Sequence, residues 1–119
     1  MVLVKYKKSY EKIAMGLLSF MPGQRELKTL RKTMQTYENN PDWQLYLWKI
    51  EEDFVELIGI EIHEDSFAVL HVSVDPSHRS QGIGHILIEK TQQLMAPRKM
   101  CATEETEAFL AKCLDTKKE

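Results

Sequence analysis

An arginine and two glycines at close spacing form the stretch of this sequence best suited to chemistry. They stand in the run Arg79-Ser80-Gln81-Gly82-Ile83-Gly84, which follows a segment rich in β-branched residues. Glycines at the start of a helix remove side chains from its first turn, where backbone N–H groups have no intrahelical partner. Those donors and the positive end of the helix dipole suit a phosphate or pyrophosphate, and Arg79 adds a cation. The run therefore predicts an anion site.

Two common phosphate-binding motifs do not fit this run. The dinucleotide fingerprint G-x-G-x-x-G requires a third glycine where Leu87 stands. The nucleoside-triphosphate loop G-x-x-x-x-G-K-[ST] is absent from the sequence. The run does match the pattern R-x-x-G-x-G, which is a weak signal by itself and depends on the elements around it.

The elements that must position this run alternate between strand and helix periodicity. The predicted strands are Val2–Lys7, Trp43–Trp48, Phe54–Ile62, Phe67–Val74 and Met100–Ala102. The predicted helices have apolar stripes within Tyr10–Met21, Leu27–Tyr37, Ile83–Met95 and Thr103–Leu114, the first with Ser9 as its N-cap. Short acidic turns join the three middle strands, which predicts an antiparallel meander. The order β-α-α-β-β-β-α-β-α indicates an α/β (α+β) fold.

Length and charge limit the classes of protein to consider. The 119 residues suit a single domain spanning 1–119. A net charge of −2 argues against a dedicated nucleic-acid surface. No apolar run is long enough to cross a membrane or to act as a signal peptide, so we expect a cytoplasmic protein with no membrane partner.

The histidines and cysteines have ordinary interpretations. His63, His78 and His85 lack the spacing of a metal site, so no metal is expected. Cys101 and Cys113 occupy apolar segments and are predicted to be inert buried thiols.

With these elements around it, the R-x-x-G-x-G run, preceded by Val74-Asp75-Pro76, resembles the cofactor-binding motif of the GNAT superfamily of N-acetyltransferases. The resemblance extends over about Val2 to Leu114 and implies a mixed central sheet with helices on both faces. Two further runs, Tyr6–Pro22 and Leu70–Arg79, are similar to small acetyltransferase-like proteins of Bacillus-type riboflavin operons. That narrower resemblance implies a link to riboflavin biosynthesis.

The resemblance implies that acetyl-CoA binds in a gap between two splayed parallel strands, Phe67–Val74 and Met100–Ala102. The implied cofactor-binding positions are Val72, Ser73, Val74, Arg79, Ser80, Gln81, Gly82, Ile83, Gly84, His85 and Thr103. Backbone groups of Val72 to Val74 would pair with the pantetheine arm, and one N–H would polarise the thioester carbonyl. Acetyl transfer is then direct attack by a neutral amine, which is the second partner.

Two positions bear on proton transfer during the reaction, one as a candidate base and one where the family has its acid. His71 is the candidate general base, because its ordinary pKa suits accepting a proton from an amine. Strand alternation would put it on the same face as Phe67, Val69 and Ser73. The family's usual acid is a tyrosine in the last helix, and Leu110 occupies the matching position, which implies slow turnover.

The chain ends at Glu119, so the sheet is expected to be shortened at its C-terminal side relative to the family. A shortened sheet exposes an edge strand, whose unpaired backbone groups can pair with a second copy of the chain. We therefore expect that the protein could form a homodimer. The alternative to an enzyme is a catalytically weak or inactive CoA-binding module with a regulatory or assembly role. The missing tyrosine favours that alternative, whereas the intact glycine run favours cofactor binding under both hypotheses.

Overall fold

The computed structural model describes residues 2–78 and 83–118, except for the side chains of Ile83 and residues 113–118. The strands are β1 (Val2–Lys5), β2 (Trp43–Ile50), β3 (Asp53–Ile62), β4 (Ser66–Val74) and β5 (Lys99–Ala102). The helices are α1 (Glu11–Leu18), α2 (Leu27–Asn39), α3 (Ile83–Met95) and α4 (Glu107–Lys118). The predicted element order is confirmed.

The strands form one mixed sheet in the order β1-β2-β3-β4-β5. The first four strands pair antiparallel, which confirms the predicted meander. The last pair, β4 and β5, is parallel, because α3 connects them and returns the chain to the same end of the sheet. The carboxyl ends of β4 and β5 therefore lie at one edge, where the sequence places its glycine run.

Two apolar clusters cover the two faces of the sheet. Helices α1 and α2 pack on one face and bury Ala14, Leu17, Leu18, Met21, Leu30, Met34, Tyr37, Leu45, Leu47 and Leu57. Helices α3 and α4 belong to the cluster on the other face, which buries Tyr46, Trp48, Val55, Ile58, Ile60, Phe67, Val69, Val72, Leu87, Ile88, Met95 and Leu110. This three-layer arrangement confirms the predicted helices on both faces of a mixed sheet.

Several element boundaries differ from the sequence prediction by a few residues, and the differences at β1, α1 and α4 change the local structure. Strand β1 ends at Lys5 instead of Lys7, and a 3-10 turn at Lys8–Tyr10 contains the predicted cap Ser9. Helix α1 therefore begins at Glu11 without a side-chain cap. The last helix begins at Glu107, because the residues before it form a turn in which the Thr106 hydroxyl accepts the Thr103 N–H.

The open edge of β5 accounts for one wrong prediction. Within the described residues β5 is the last strand of the sheet, so its outer edge pairs with no strand. Cys101 is exposed there rather than buried, because it lies opposite Ala68 on the α1/α2 face and no described helix covers that face of this last strand. None of the described helices is long and apolar enough to cross a membrane.

Candidate functional site

Strand β4 extends past the end of its parallel partner β5, and the open side of β4 beyond that point is called the β4–β5 gap below. The two strands pair from Ser66 opposite Lys99 to Val69 opposite Ala102, and β4 then continues to Val74. The Val69 carbonyl accepts hydrogen bonds from the Thr106 hydroxyl at 2.8 Å and the Thr103 hydroxyl at 3.1 Å. These hydroxyls satisfy the Val69 carbonyl at the point where β5 ends and the ladder stops.

A β-bulge at the same point re-aims the side chains of β4. Val69 lies opposite Ile60 and His71 opposite Gly59, so Leu70 is an extra residue in its strand. The simple alternation that placed His71 with Phe67 and Val69 is therefore wrong. Phe67 and Val69 belong to the α3/α4 cluster, whereas Leu70 and His71 face α1 and α2.

The backbone of β4 beyond the bulge presents a donor to the gap. The Asp75 N–H donates to Val55 of β3, so antiparallel alternation directs Ser73 to β3 as well, and Val72 and Val74 to the open side. The buried Val72 N–H donates to the Met21 thioether sulfur at 3.3 Å. The Ser73 hydroxyl donates to the Leu17 carbonyl at 2.7 Å, so its side chain anchors α1.

His71 lies beside a buried tyrosine on the α1/α2 face. Its Nδ1 is 2.5 Å from the Tyr37 hydroxyl, and a Trp43 ring lies 6.5 Å from its imidazole between centroids. Burial lowers the pKa of His71 to about 4 and raises the pKa of Tyr37, with Glu61 adding to the second shift. Both groups are therefore neutral near pH 7. Gly59 makes room for this pair, since a Cβ there would overlap the Tyr37 ring.

The predicted anion site lies only partly within the described residues. An Asx-type turn starts the loop, with the Ser77 N–H and hydroxyl both donating to Asp75 Oδ1, at 2.9 and 2.8 Å. Arg79, Ser80, Gln81 and Gly82 lie outside the described residues. Ile83, Gly84 and His85 form the first turn of α3, as predicted, and His85 Nε2 lies 3.5 Å from Glu89 of the next turn.

Leu110 packs into the α3/α4 cluster and is 3% exposed. The hydroxyls that lie where the strands part belong instead to Thr103 and Thr106. Sequence reasoning identified Thr103 but missed Thr106, Met21 and Tyr37. Tyr37 lies on the apolar stripe of its predicted helix, which indicated only a core residue. No local pattern reveals that its hydroxyl contacts His71 on β4.

An acidic groove lies outside the β4–β5 gap. It has a volume of about 410 Å³ and is lined by Ile13, Glu52, Asp53, Phe54, Val55, Asp75, Ser77 and His78. Three carboxylates in its lining would repel a pyrophosphate, so this groove does not suit the predicted anion.

Glu56 is a buried carboxyl on the α3/α4 side of β3. It is fully buried, and its two oxygens have no hydrogen-bond partner among the described residues. Trp48, its register partner on β2, has a buried Nε1 that likewise finds no partner in the described part of the chain. Burial raises the pKa of Glu56 to about 8, so the protonated form dominates at neutral pH.

Comparison with known proteins gives a consistent result. The family model described as "Acetyltransferase (GNAT) family" matches residues 11–111. An uncharacterized N-acetyltransferase in the lysA 3' region of Bacillus methanolicus is 47% identical over 113 residues, covering 94% of each chain.

Two solved structures show the same fold. The aminoglycoside N-acetyltransferase AAC(6')-Iy in complex with CoA has a TM-score of 0.75 at 12% identity, covering 97% of this chain and 84% of its own. A GNAT family acetyltransferase of Staphylococcus aureus subsp. aureus has a TM-score of 0.71 at 14% identity, and the match covers 87% of this chain and 85% of that one. With a family model matched along most of its length and a relative at 47% identity, the chain belongs to the GNAT family of acetyltransferases.

Proposed function

We propose that this protein is a cytoplasmic N-acetyltransferase that transfers the acetyl group of acetyl-CoA to an amine. The observation that supports it most is the Val72 N–H, which is buried, faces the β4–β5 gap and, among the described residues, has the Met21 thioether as its acceptor. A thioether is a weak acceptor, so this donor is available to a better one. A thioester carbonyl that gains negative charge during acyl transfer is such an acceptor.

The cofactor would extend along β4 from the gap to the start of α3. The pantetheine amides pair with the open-side backbone of Val72 and Val74, in the manner of an added strand. The pyrophosphate lies on the amides of the Gln81–His85 run at the helix N-terminus, with Arg79 as a counter-charge. The carboxyl ends of parallel strands meeting at this edge support that path.

The transfer itself needs few protein groups. The amine nitrogen attacks the thioester carbon, the C–S bond breaks, and the sulfur leaves as a thiolate. A thiol pKa of about 8.5 allows that departure without a proton donor, so a tyrosine at the Leu110 position is not required. After the amine attacks and before the C–S bond breaks, the former carbonyl oxygen is an oxyanion, and the Val72 N–H stabilises it.

His71 takes the amine proton in this scheme, directly or through a water. It can do so in the tautomer in which Nδ1–H donates to the Tyr37 hydroxyl oxygen, because Nε2 then has the lone pair. Burial lowers the pKa of His71 to about 4, which keeps the imidazole neutral and ready near pH 7. The same shift makes it a weaker base than a free histidine.

The acceptor is a small amine, and a lysine or N-terminal amine of a protein is the other candidate class. The similar structure AAC(6')-Iy is named as an aminoglycoside N-acetyltransferase, and aminopyrimidine precursors of riboflavin follow from the sequence resemblance. We also propose a homodimer through the open edge of β5, where no strand pairs within the described residues.

The test is release of CoA from acetyl-CoA, measured against a panel of polyamines, aminoglycosides, aminopyrimidines and lysine peptides. We expect one class to give saturable turnover, reduced at least about 100-fold by His71→Gln. His63→Gln is the matched control, since His63 lies on a turn and is half exposed. Binding of CoA without transfer to any amine would instead establish the binding module.

A further inference from the structure

Met21 occupies a fixed place beside the gap. It lies in the segment between α1 and α2, where its N–H donates to the Leu18 carbonyl and its carbonyl accepts the Gln24 N–H, both at 3.0 Å. The residue is 6% exposed and packs in the α1/α2 cluster. Its backbone is therefore held while its unbranched side chain reaches across to β4.

The end of that side chain stands where an acyl group would have to go. Its sulfur accepts the Val72 N–H at 3.3 Å, which is the open-side donor nearest the bulge. An acyl carbonyl can reach that donor only if the thioether moves away. Three rotatable bonds let methionine adopt another rotamer at little cost, and a carbonyl replaces a weak acceptor with a strong one.

We propose that Met21 is a specificity-determining residue for the acyl group, building on the proposed function. Its thioether caps the Val72 N–H in the free protein and is displaced by the thioester carbonyl. Held in place by its backbone, the displaced side chain then forms the wall against which the acyl chain ends. Short acyl groups fit beneath it, and longer ones collide with it.

The first experiment measures calorimetric affinity for acetyl-, butyryl- and hexanoyl-CoA without any amine, so that no turnover occurs. We expect the wild type to prefer acetyl-CoA. Met21→Ala should shift the butyryl-to-acetyl ratio by about tenfold or more, since each buried methylene contributes roughly a factor of four. Met34→Ala is the matched control, because Met34 is 2% exposed in the same cluster and lies on α2.

The outcomes separate the two proposals. If no acyl-CoA binds to the wild type, the proposed function is wrong. If acetyl-CoA binds but Met21→Ala and Met34→Ala leave the chain-length ratio equally unchanged, the assignment of Met21 is overturned.

A second variant tests the displacement and keeps the side-chain volume. Met21→Leu removes the sulfur acceptor, so the Val72 amide resonance should differ from wild type in the free proteins. With acetyl-CoA bound, both proteins give this amide the same carbonyl acceptor, and the two resonances should converge. Resonances that stay apart by the same amount would show that the carbonyl does not reach Val72.

Discussion

At the scale of single residues, the contact between Tyr37 and His71 decides whether the site contains a base. Tyr37→Phe removes the oxygen that holds Nδ1–H, so the imidazole loses its fixed tautomer. We expect transfer to fall about tenfold or more, since an unpartnered buried donor costs about 1–3 kcal/mol. Nitrogen-15 shifts of His71 should show protonated Nδ1 in the wild type and a tautomer mixture in the variant.

Tyr46→Phe is the matched control for that change. Its hydroxyl donates to Gln44 at 3.3 Å and its ring packs on the opposite face of the sheet. It should leave both the transfer rate and the His71 shifts unaltered. A wild-type spectrum with the proton on Nε2 would mean that Tyr37 is the donor, and His71 could not act as the base.

Two buried groups give the stability of the protein an unusual pH dependence. Burial raises the pKa of Glu56 to about 8, so the folded state binds its proton more tightly and stability from this group falls from about pH 4.5 to 8. Burial lowers the pKa of His71 to about 4, so stability from that group rises between about pH 4 and 6.5. The two effects oppose each other below pH 6.5.

Glu56→Gln should therefore change the shape of the pH profile. In the wild type, the free energy of unfolding is expected to vary little below pH 6.5 and then to fall by up to about 1.4 kcal/mol per pH unit towards pH 8. In the variant it should rise to about pH 6.5 and then stay level. Urea titrations from pH 5 to 8 measure this. A wild-type profile that is level from pH 6.5 to 8 would contradict the buried protonated carboxyl.

At the scale of elements, the parting of β4 and β5 depends on hydroxyls from the turn before α4. Thr106 is fully buried and donates to the Val69 carbonyl at 2.8 Å. Thr106→Val keeps the shape, leaves that carbonyl with the longer Thr103 bond, and removes the acceptor of the Thr103 N–H. We expect a loss of about 1–3 kcal/mol in the free energy of unfolding by urea titration.

The control for that prediction is a threonine with a comparable bond at the surface. The exposed Thr36 hydroxyl donates to the Lys32 carbonyl at 3.1 Å, so Thr36→Val should change stability by less than about 0.5 kcal/mol. Equal effects of the two substitutions would show that the Thr106 bond does not stabilise the end of the strand pairing.

The elements show which features local sequence can predict. Every helix and strand was predicted, because apolar periodicity reports the face that an element buries. The bulge at Leu70 was not, because it arises from how β4 pairs with β3 and leaves no mark on the local pattern. For the same reason the sequence grouped His71 with Phe67 and Val69, which face α3 and α4, although it faces α1 and α2. The packing of the Tyr37 ring against Gly59 also left no sign in the sequence.

At the scale of the whole molecule, the first four strands are paired along the sheet, whereas the last strand, β5, pairs with only the first half of β4. Antiparallel pairing joins β1 to β4, and the parallel pairing of β4 with β5 ends at Val69, because β5 ends at Ala102 while β4 continues to Val74. The α1/α2 layer brings Met21 and Tyr37 to one side of the opening, and α3 brings its N-terminus to the other. A cofactor that crosses the sheet at this point would reach both layers.

The central claim is that CoA lies in this opening, and amide chemical shifts during a CoA titration of nitrogen-15-labelled protein test it most directly. We predict saturable shifts at Val72, Val74, Gly84 and His85, because these backbone groups line the proposed path. The amides of β1, at the opposite edge of the sheet, should stay unchanged. Shifts confined to the acidic groove around Asp53 and Ser77, or no saturable shift at all, would contradict the account.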